Sequence, residues 1–282
     1  MMIGEMFALC GALSNGIEEI LHRHILKNEE SLSYTVVWHV LVALFLLPLF
    51  LIDFRLPSEP GAWLWVALSG IAWAAGLYLM FRSYNTLEVS VKMPIWKSRM
   101  LFAFLFAVFL LGESAGITKI IGTLLIFAGI ILVTYERKTG FSKLKSEGVV
   151  LVLLAAMLSG LALIIDKIGV AYFPVGMFGF MSAATTALVL LPFVLGKKQE
   201  FSSLFRHRPY ATLGAAFFGA LAYFLMLSAL KVIDASIAIP IFELGTLIAV
   251  GGGIIFLHER EGLVKKLVAA LLAVAGAILV GL

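Results

Sequence analysis

Cysteine and charge are what this sequence has least of. Among 282 residues there is one cysteine, Cys10, and only 13% are Asp, Glu, Lys or Arg. A single cysteine excludes a disulfide framework and any zinc site built from clustered thiolates. No glycine-rich phosphate loop, catalytic Ser/His/Asp set or metal-ligand spacing occurs, so the chain does not read as an enzyme, and no cofactor or metal is expected. The formal net charge of +4 comes from basic residues in short loops, which is a signature of membrane topology rather than of nucleic-acid binding. No cleavable signal peptide is expected either. The first apolar run begins at the second residue, carries Glu5, and has no small-residue cleavage site after it.

What is present is apolar. Hydrophobic residues make up 62% of the chain and the mean hydropathy is +1.06, more apolar surface than a water-soluble fold can hide. A helix needs about 20 apolar residues to cross roughly 30 Å of hydrocarbon. That measure predicts an all-α integral membrane protein with ten spans, near 2–24, 33–53, 61–82, 88–111, 117–135, 147–167, 173–194, 209–230, 235–257 and 263–282.

The stretch from Glu88 to Val133 is repeated from Asp234 to Val280. Glu88 meets Asp234, Ser90 meets Ser236, Pro94-Ile95 meets Pro240-Ile241, Glu113 meets Glu259 and Gly116 meets Gly262. After a slip of one residue, Ala128-Gly129 meets Ala275-Gly276 and Leu132-Val133 meets Leu279-Val280. The chain therefore divides into a first five-helix repeat, 1–136, a polar linker, 137–146, and a second repeat, 147–282. Five is odd, so the second copy enters the membrane from the opposite side. The repeats are inverted, with a pseudo-two-fold axis in the membrane plane, an arrangement that alternating access uses directly.

Lys and Arg gather in the loops after spans one, five, seven and nine, and the positive-inside rule then puts both termini outside the cell. Inside the spans, ionisable residues are few. Lys97 lies about nine residues into the fourth span, about 14 Å deep, and its repeat counterpart is Glu243. With Arg99, three such charges facing lipid would cost about 9 kcal/mol, so they face the interior or each other. Two readings follow: a buried ion pair fixing how spans four and nine meet, or a polar substrate site between the repeats. In the second, Lys97 takes an anionic group and Glu243 a cationic group or a proton. Trp96, beside Lys97, joins this candidate binding set, as do Arg99, Tyr78 and Tyr223. Glu18 and Glu19, with His22 and Arg23 beyond, read as an interfacial helix end, with Glu18 a second coupling candidate after Glu243. Asp166-Lys167 aligns with His22-Arg23 and reads the same way. Pro94 and Pro240 occupy equivalent positions near these charges and are candidate hinges.

With these residues in place, the chain resembles the drug/metabolite transporter superfamily, in its ten-helix EamA type. The resemblance rests on a proline-containing fourth helix (Pro94), a Leu111-Gly112-Glu113 turn, and a helix ending Ala128-Gly129-Ile130-Ile131-Leu132-Val133. The second copy keeps Pro240, Glu259 and Ala275-Gly276, with His258 where glycine is usual. The resemblance implies a secondary transporter of small metabolites such as amino acids, often an exporter, sometimes proton-linked. It further implies a central cavity lined by spans one, three, four, six, eight and nine. Its partners would be a small-molecule substrate, membrane lipids and protons, with no nucleic acid; oligomeric state is left open. Its place would be a cell membrane, crossed many times, in a prokaryote. Family precedent sets the termini in the cytoplasm, against the charge bias. The turn acids Glu113 and Glu259 would be structural helix-start residues. The smaller four-span relatives carry a coupling glutamate where this chain has Gly16. An alternative role is movement of a lipid-linked head group; a non-transporting scaffold is a weaker one.

Overall fold

The computed structural model describes residues 3–25, 31–83, 95–134, 147–197, 200, 204, 206, 208–256 and 263–280. The helices are α1 (Ile3–Ile25), α2 (Ser31–Ile52), α3 (Trp63–Arg82), α4 (Arg99–Leu111), α5 (Ile117–Thr134) and α6 (Glu147–Tyr172). They continue as α7 (Val175–Leu190), α8 (Pro209–Val232), α9 (Ala235–Glu243), α10 (Gly245–Phe256) and α11 (Leu263–Val280). Among the described residues there is no strand. Five of the predicted spans are long and apolar enough to qualify on length and composition alone, among them α6 and α8. Predicted span nine is present as α9 and α10 with a break at Leu244, and α4 is the second half of predicted span four.

The packing obeys the two-fold that the sequence repeat implies. Under that symmetry α1 to α5 correspond to α6, α7, α8, α9/α10 and α11. Accordingly α1 lies along α8 as α6 lies along α3, α3 meets α7 as α8 meets α2, and α4 meets α6 as α10 meets α1. Two pairs sit on the axis and meet their own counterparts: α2 with α7, and α5 with α11. The two copies are thus interleaved. Each repeat completes its packing only through the other, as an in-plane pseudo-two-fold requires.

Small residues decide how close these helices come. A Cβ on Gly122 would lie 2.6 Å from the Gly276 carbonyl oxygen, and one on Gly129 would lie 2.6 Å from that of Ala269. Since Gly122 corresponds to Ala269 and Gly129 to Gly276, these two contacts are images of each other. They form a small-residue seam of the kind that lets helix backbones touch in lipid. The outer faces of the pair stay apolar and exposed, as at Leu124, Leu271 and Ile278.

The Leu111-Gly112-Glu113 turn has a local and a long-range part. Gly112 ends α4 at φ 69°, a left-handed conformation that favours glycine, and its N–H donates to the Ala107 carbonyl. That turn aims Glu113 at the other repeat. The backbone N–H groups of Ala235 and Ser236 donate to Glu113 Oε1 and Oε2, each at 2.8 Å. Glu113 is therefore a helix-start residue, as expected, but for α9 rather than for the helix that follows it. Nearby, Lys119 pairs with Asp234 at 2.9 Å, and Lys167 Nζ donates to the carbonyls of Leu230 and Ile233. Glu113→Ala is expected to lower stability by about 1–2 kcal/mol, the usual cost of a lost N-terminal cap. Thermal unfolding in detergent checks this: a melting temperature equal to wild type would show that the cap carries no weight.

Candidate functional site

Both interrupted spans break where their charges lie. Pro240 stands in α9 and has no N–H to donate. Four residues on, the Leu244 N–H donates to Ile241 rather than to the Pro240 carbonyl, at 3.2 Å. The Leu247 N–H then donates to Leu244 at 2.9 Å. At the equivalent places Ser98 donates to Ile95 at 3.0 Å and Leu101 to Ser98 at 2.9 Å, the same tight turn repeated. Pro94, the other candidate hinge, lies outside the described residues, as do His258 and Glu259. Two glycines make room for the breaks. A Cβ on Gly16 would lie 2.9 Å from the Gly245 carbonyl, and one on Gly160 would lie 2.8 Å from that of Arg99. No side chain fits at position 16, which accounts physically for glycine there.

At these breaks the candidate charges meet. Lys97 Nζ stands 3.3 Å from Glu243 Oε2, and Arg99 donates to Glu243 Oε1 from Nε at 2.8 Å and from Nη2 at 2.7 Å. Glu19, read from sequence as interfacial, comes within 3.8 Å of Lys97. Its side chain is only 15% exposed and that of Glu243 only 1%. Two cations and two carboxylates thus form an electroneutral cluster in which Lys97 and Glu243 are buried and Arg99 and Glu19 partly so. Burying four charges unpaired would be prohibitive, and alternating signs at hydrogen-bond distance are what make it tolerable. Trp96 belongs to the same place. It is buried against Met80, Val152 and Ala155, and the Arg99 guanidinium lies 5.4 Å over its ring.

Glu18 is not an exposed interfacial residue. It is buried, accepts from Asn15 at 3.2 Å, approaches His22 Nε2 at 3.4 Å and lies against Gly219 of α8. His22 stands edge-on to Tyr34 and Trp38, and His39 bonds the Thr35 carbonyl of its own helix.

Tyr78 and Tyr223 are not brought to the charges. Tyr78 packs on Phe193 at 4.6 Å between ring centres, beside Val36 and Leu190. Tyr223 belongs to a second polar cluster centred on Asp166, which the sequence placed at an interface. The structure corrects that placement. α6 runs on to Tyr172, so Asp166 lies six residues, about 9 Å, inside its end and is fully buried. Ser69 donates to Asp166 Oδ1, while Trp73 Nε1 and Tyr223 OH each donate to Oδ2 at 3.0 Å. Ser182 Oγ lies 2.6 Å from Ser69 Oγ and 3.0 Å from Tyr223 OH. The lone serines inside apolar runs at 69 and 182 were the available signal, since a hydroxyl at that depth needs a partner.

The EamA-like transporter family profile matches residues 2–135 and 146–282, one match for each half. Among curated protein sequences none matches. A solved crystal structure with no activity in its description matches 98% of this chain and 94% of its own, at a TM-score of 0.76 and 15% identity. That is a likeness of fold alone.

Proposed function

Starting from the fact that this chain belongs to the EamA-like transporter family, a family of membrane transporters, we propose that it exports a small polar or zwitterionic metabolite, an amino acid or a related compound. The observation that carries this reading is the electroneutral cluster of Lys97, Arg99, Glu19 and Glu243 at the broken spans of both repeats. A zwitterion fits it without changing the buried charge. Its carboxylate replaces Glu243 on Lys97 and Arg99, and its ammonium group replaces those cations on Glu243 and Glu19. Each internal ion pair is exchanged for one to the substrate, so no charge is left unpaired at depth.

Alternating access then follows from the symmetry. The tight turns after Pro240 and at Lys97-Ser98 are the hinges of this reading, bending spans four and nine about the substrate. Ties such as Lys119–Asp234, on the face away from the basic loops, open when that face opens. A net charge of zero on the loaded site also makes each passage insensitive to membrane voltage unless a proton or ion travels as well.

Substrate counterflow tests the reading. Proteoliposomes preloaded with one member of a panel of amino acids and related zwitterions are given a labelled trace of the same compound outside. Uptake is expected for at least one member and is competed by zwitterions better than by the corresponding amides or esters. Equal competition by species lacking one of the two charges would overturn the zwitterion assignment.

A further inference from the structure

The Asp166 cluster stands apart from the proposed substrate charges, and its chemistry differs. Among the described residues Asp166 makes no ion pair. The groups facing it are neutral hydroxyls and an indole: Ser69 and Trp73 from α3, Ser182 from α7 and Tyr223 from α8. On its own helix the neighbouring Lys167 turns away to the carbonyls of Leu230 and Ile233. An intramembrane carboxylate held only by neutral donors, with each oxygen taken up, is an expensive feature for a purely structural contact.

The hydrogen bonds explain what it can do. Asp166, Ser69, Ser182 and Tyr223 form a closed ring, each within hydrogen-bond distance of the next. With the carboxylate ionised, Ser69 donates to Oδ1, Tyr223 and Trp73 donate to Oδ2, and Ser182 donates to Ser69. Every hydroxyl hydrogen is used. With Asp166 protonated, its O–H on Oδ1 donates to Ser69, Ser69 to Ser182, Ser182 to Tyr223, and Tyr223 to Oδ2. Every hydroxyl then donates once and accepts once, and the Trp73 bond to Oδ2 is unchanged. One proton enters, the Ser69 and Ser182 hydroxyls rotate, and no buried polar group loses its partner. We propose that Asp166 is a proton-binding site whose hydroxyl ring serves both protonation states, and that its proton drives the transport cycle.

This assignment rests on the transporter reading for its role, while proton binding at Asp166 stands independently of it. The ring also ties α3 and α6 to α7 and α8, drawing on both repeats. Gain or loss of its charge therefore acts on the helices that must shift between the two open states.

Two measurements test the site. Infrared difference spectra of the purified protein between acid and alkaline buffer are expected to show a carboxylic-acid C=O band that is absent in Asp166→Asn. In proteoliposomes, Asp166→Asn is expected to keep counterflow but lose accumulation driven by a pH gradient. Ser182→Ala provides the selective variant. It leaves the three donors to the ionised carboxylate in place but removes the acceptor for Ser69 in the protonated ring. Its C=O band and its transport are expected to titrate about one pH unit more acid than wild type, the worth of one lost hydrogen bond. A merely structural Ser182 would not move either titration. An unchanged C=O band in Asp166→Asn overturns the proton site. A site that titrates while accumulation in Asp166→Asn remains driven by the gradient overturns the coupling role. If wild-type protein transports no compound in the panel but the band titrates as expected, the substrate reading fails and the proton site stands.

Discussion

Glu243→Gln is expected to abolish transport, a loss of at least about 100-fold, and to destabilise the fold by about 3–5 kcal/mol. The carboxylate is 1% exposed and takes bonds from both Lys97 and Arg99. Removing its charge leaves two cations facing each other at the centre of the membrane, with Glu19 within ion-pair distance of Lys97. Lys97→Met is the informative comparison. Transport is again expected to disappear, but Glu243 keeps the two bonds from Arg99, so the loss of stability should be smaller. The double variant Arg99→Met/Glu243→Gln restores the charge balance, since Lys97 then has Glu19. Its melting temperature is expected to return toward wild type while counterflow stays absent. Recovery of transport with stability would mean that the cluster is structural only, an ion pair fixing how two spans meet.

The opposite dissociation is expected at the seam between α5 and α11. A Cβ on Gly276 would lie 2.5 Å from the Gly122 carbonyl oxygen, and the clash is with backbone, which cannot swing aside. Gly276→Leu forces the two helices apart. Overpacking of this kind costs about 1–3 kcal/mol even where side chains can yield, so a loss at or above the upper figure is expected here. Transport per folded molecule should be retained, because neither helix supplies a residue to the central charges or to the Asp166 ring. Thermal unfolding, with counterflow normalised to the monodisperse fraction, separates the two effects. Full stability in Gly276→Leu would refute the close approach of these backbones. Loss of transport in a folded Gly276→Leu would show that the seam moves during the cycle.

The two clusters differ in how much of them could be read before the fold was seen. Lys97 and Glu243 were legible as a pair because the repeat places them at the same position in spans deep enough to forbid lone charges. Arg99 and Trp96 followed by proximity along the chain. Asp166 was not legible in the same way. An Asp-Lys dipeptide near the end of an apolar run looks like a helix end at the headgroups, and only the continuation of α6 to Tyr172 turns the aspartate inward. Its partners lie on three other helices, and nothing in the local sequence links Ser69, Ser182 and Tyr223. Glu18 misled for a related reason. The charges that follow it suggest an interface, whereas its carboxylate packs against Gly219, a contact that depends on which helix α1 meets. Most helix ends were readable to within about two residues, because a span is set by length and hydropathy. The end of α6, five residues beyond the expected 167, and the break at Leu244 were not, since they and the side-chain partnerships are set by packing.

The glycine seam has a consequence for how such a chain could have arisen. Gly122 touches Gly276 and Gly129 touches Ala269, and each contact is the other seen after half a turn. A surface that is its own complement needs no second, differently shaped surface to bind. A single five-helix protein bearing this face could therefore have paired with another copy of itself, provided the two had inserted upside down to one another. Fusing two such genes would then have fixed in one polypeptide an orientation that separate molecules had to find by chance, leaving each half free to diverge. The aspartate in one copy and the histidine at the matching place in the other, Asp166 and His22, are what that freedom looks like after use.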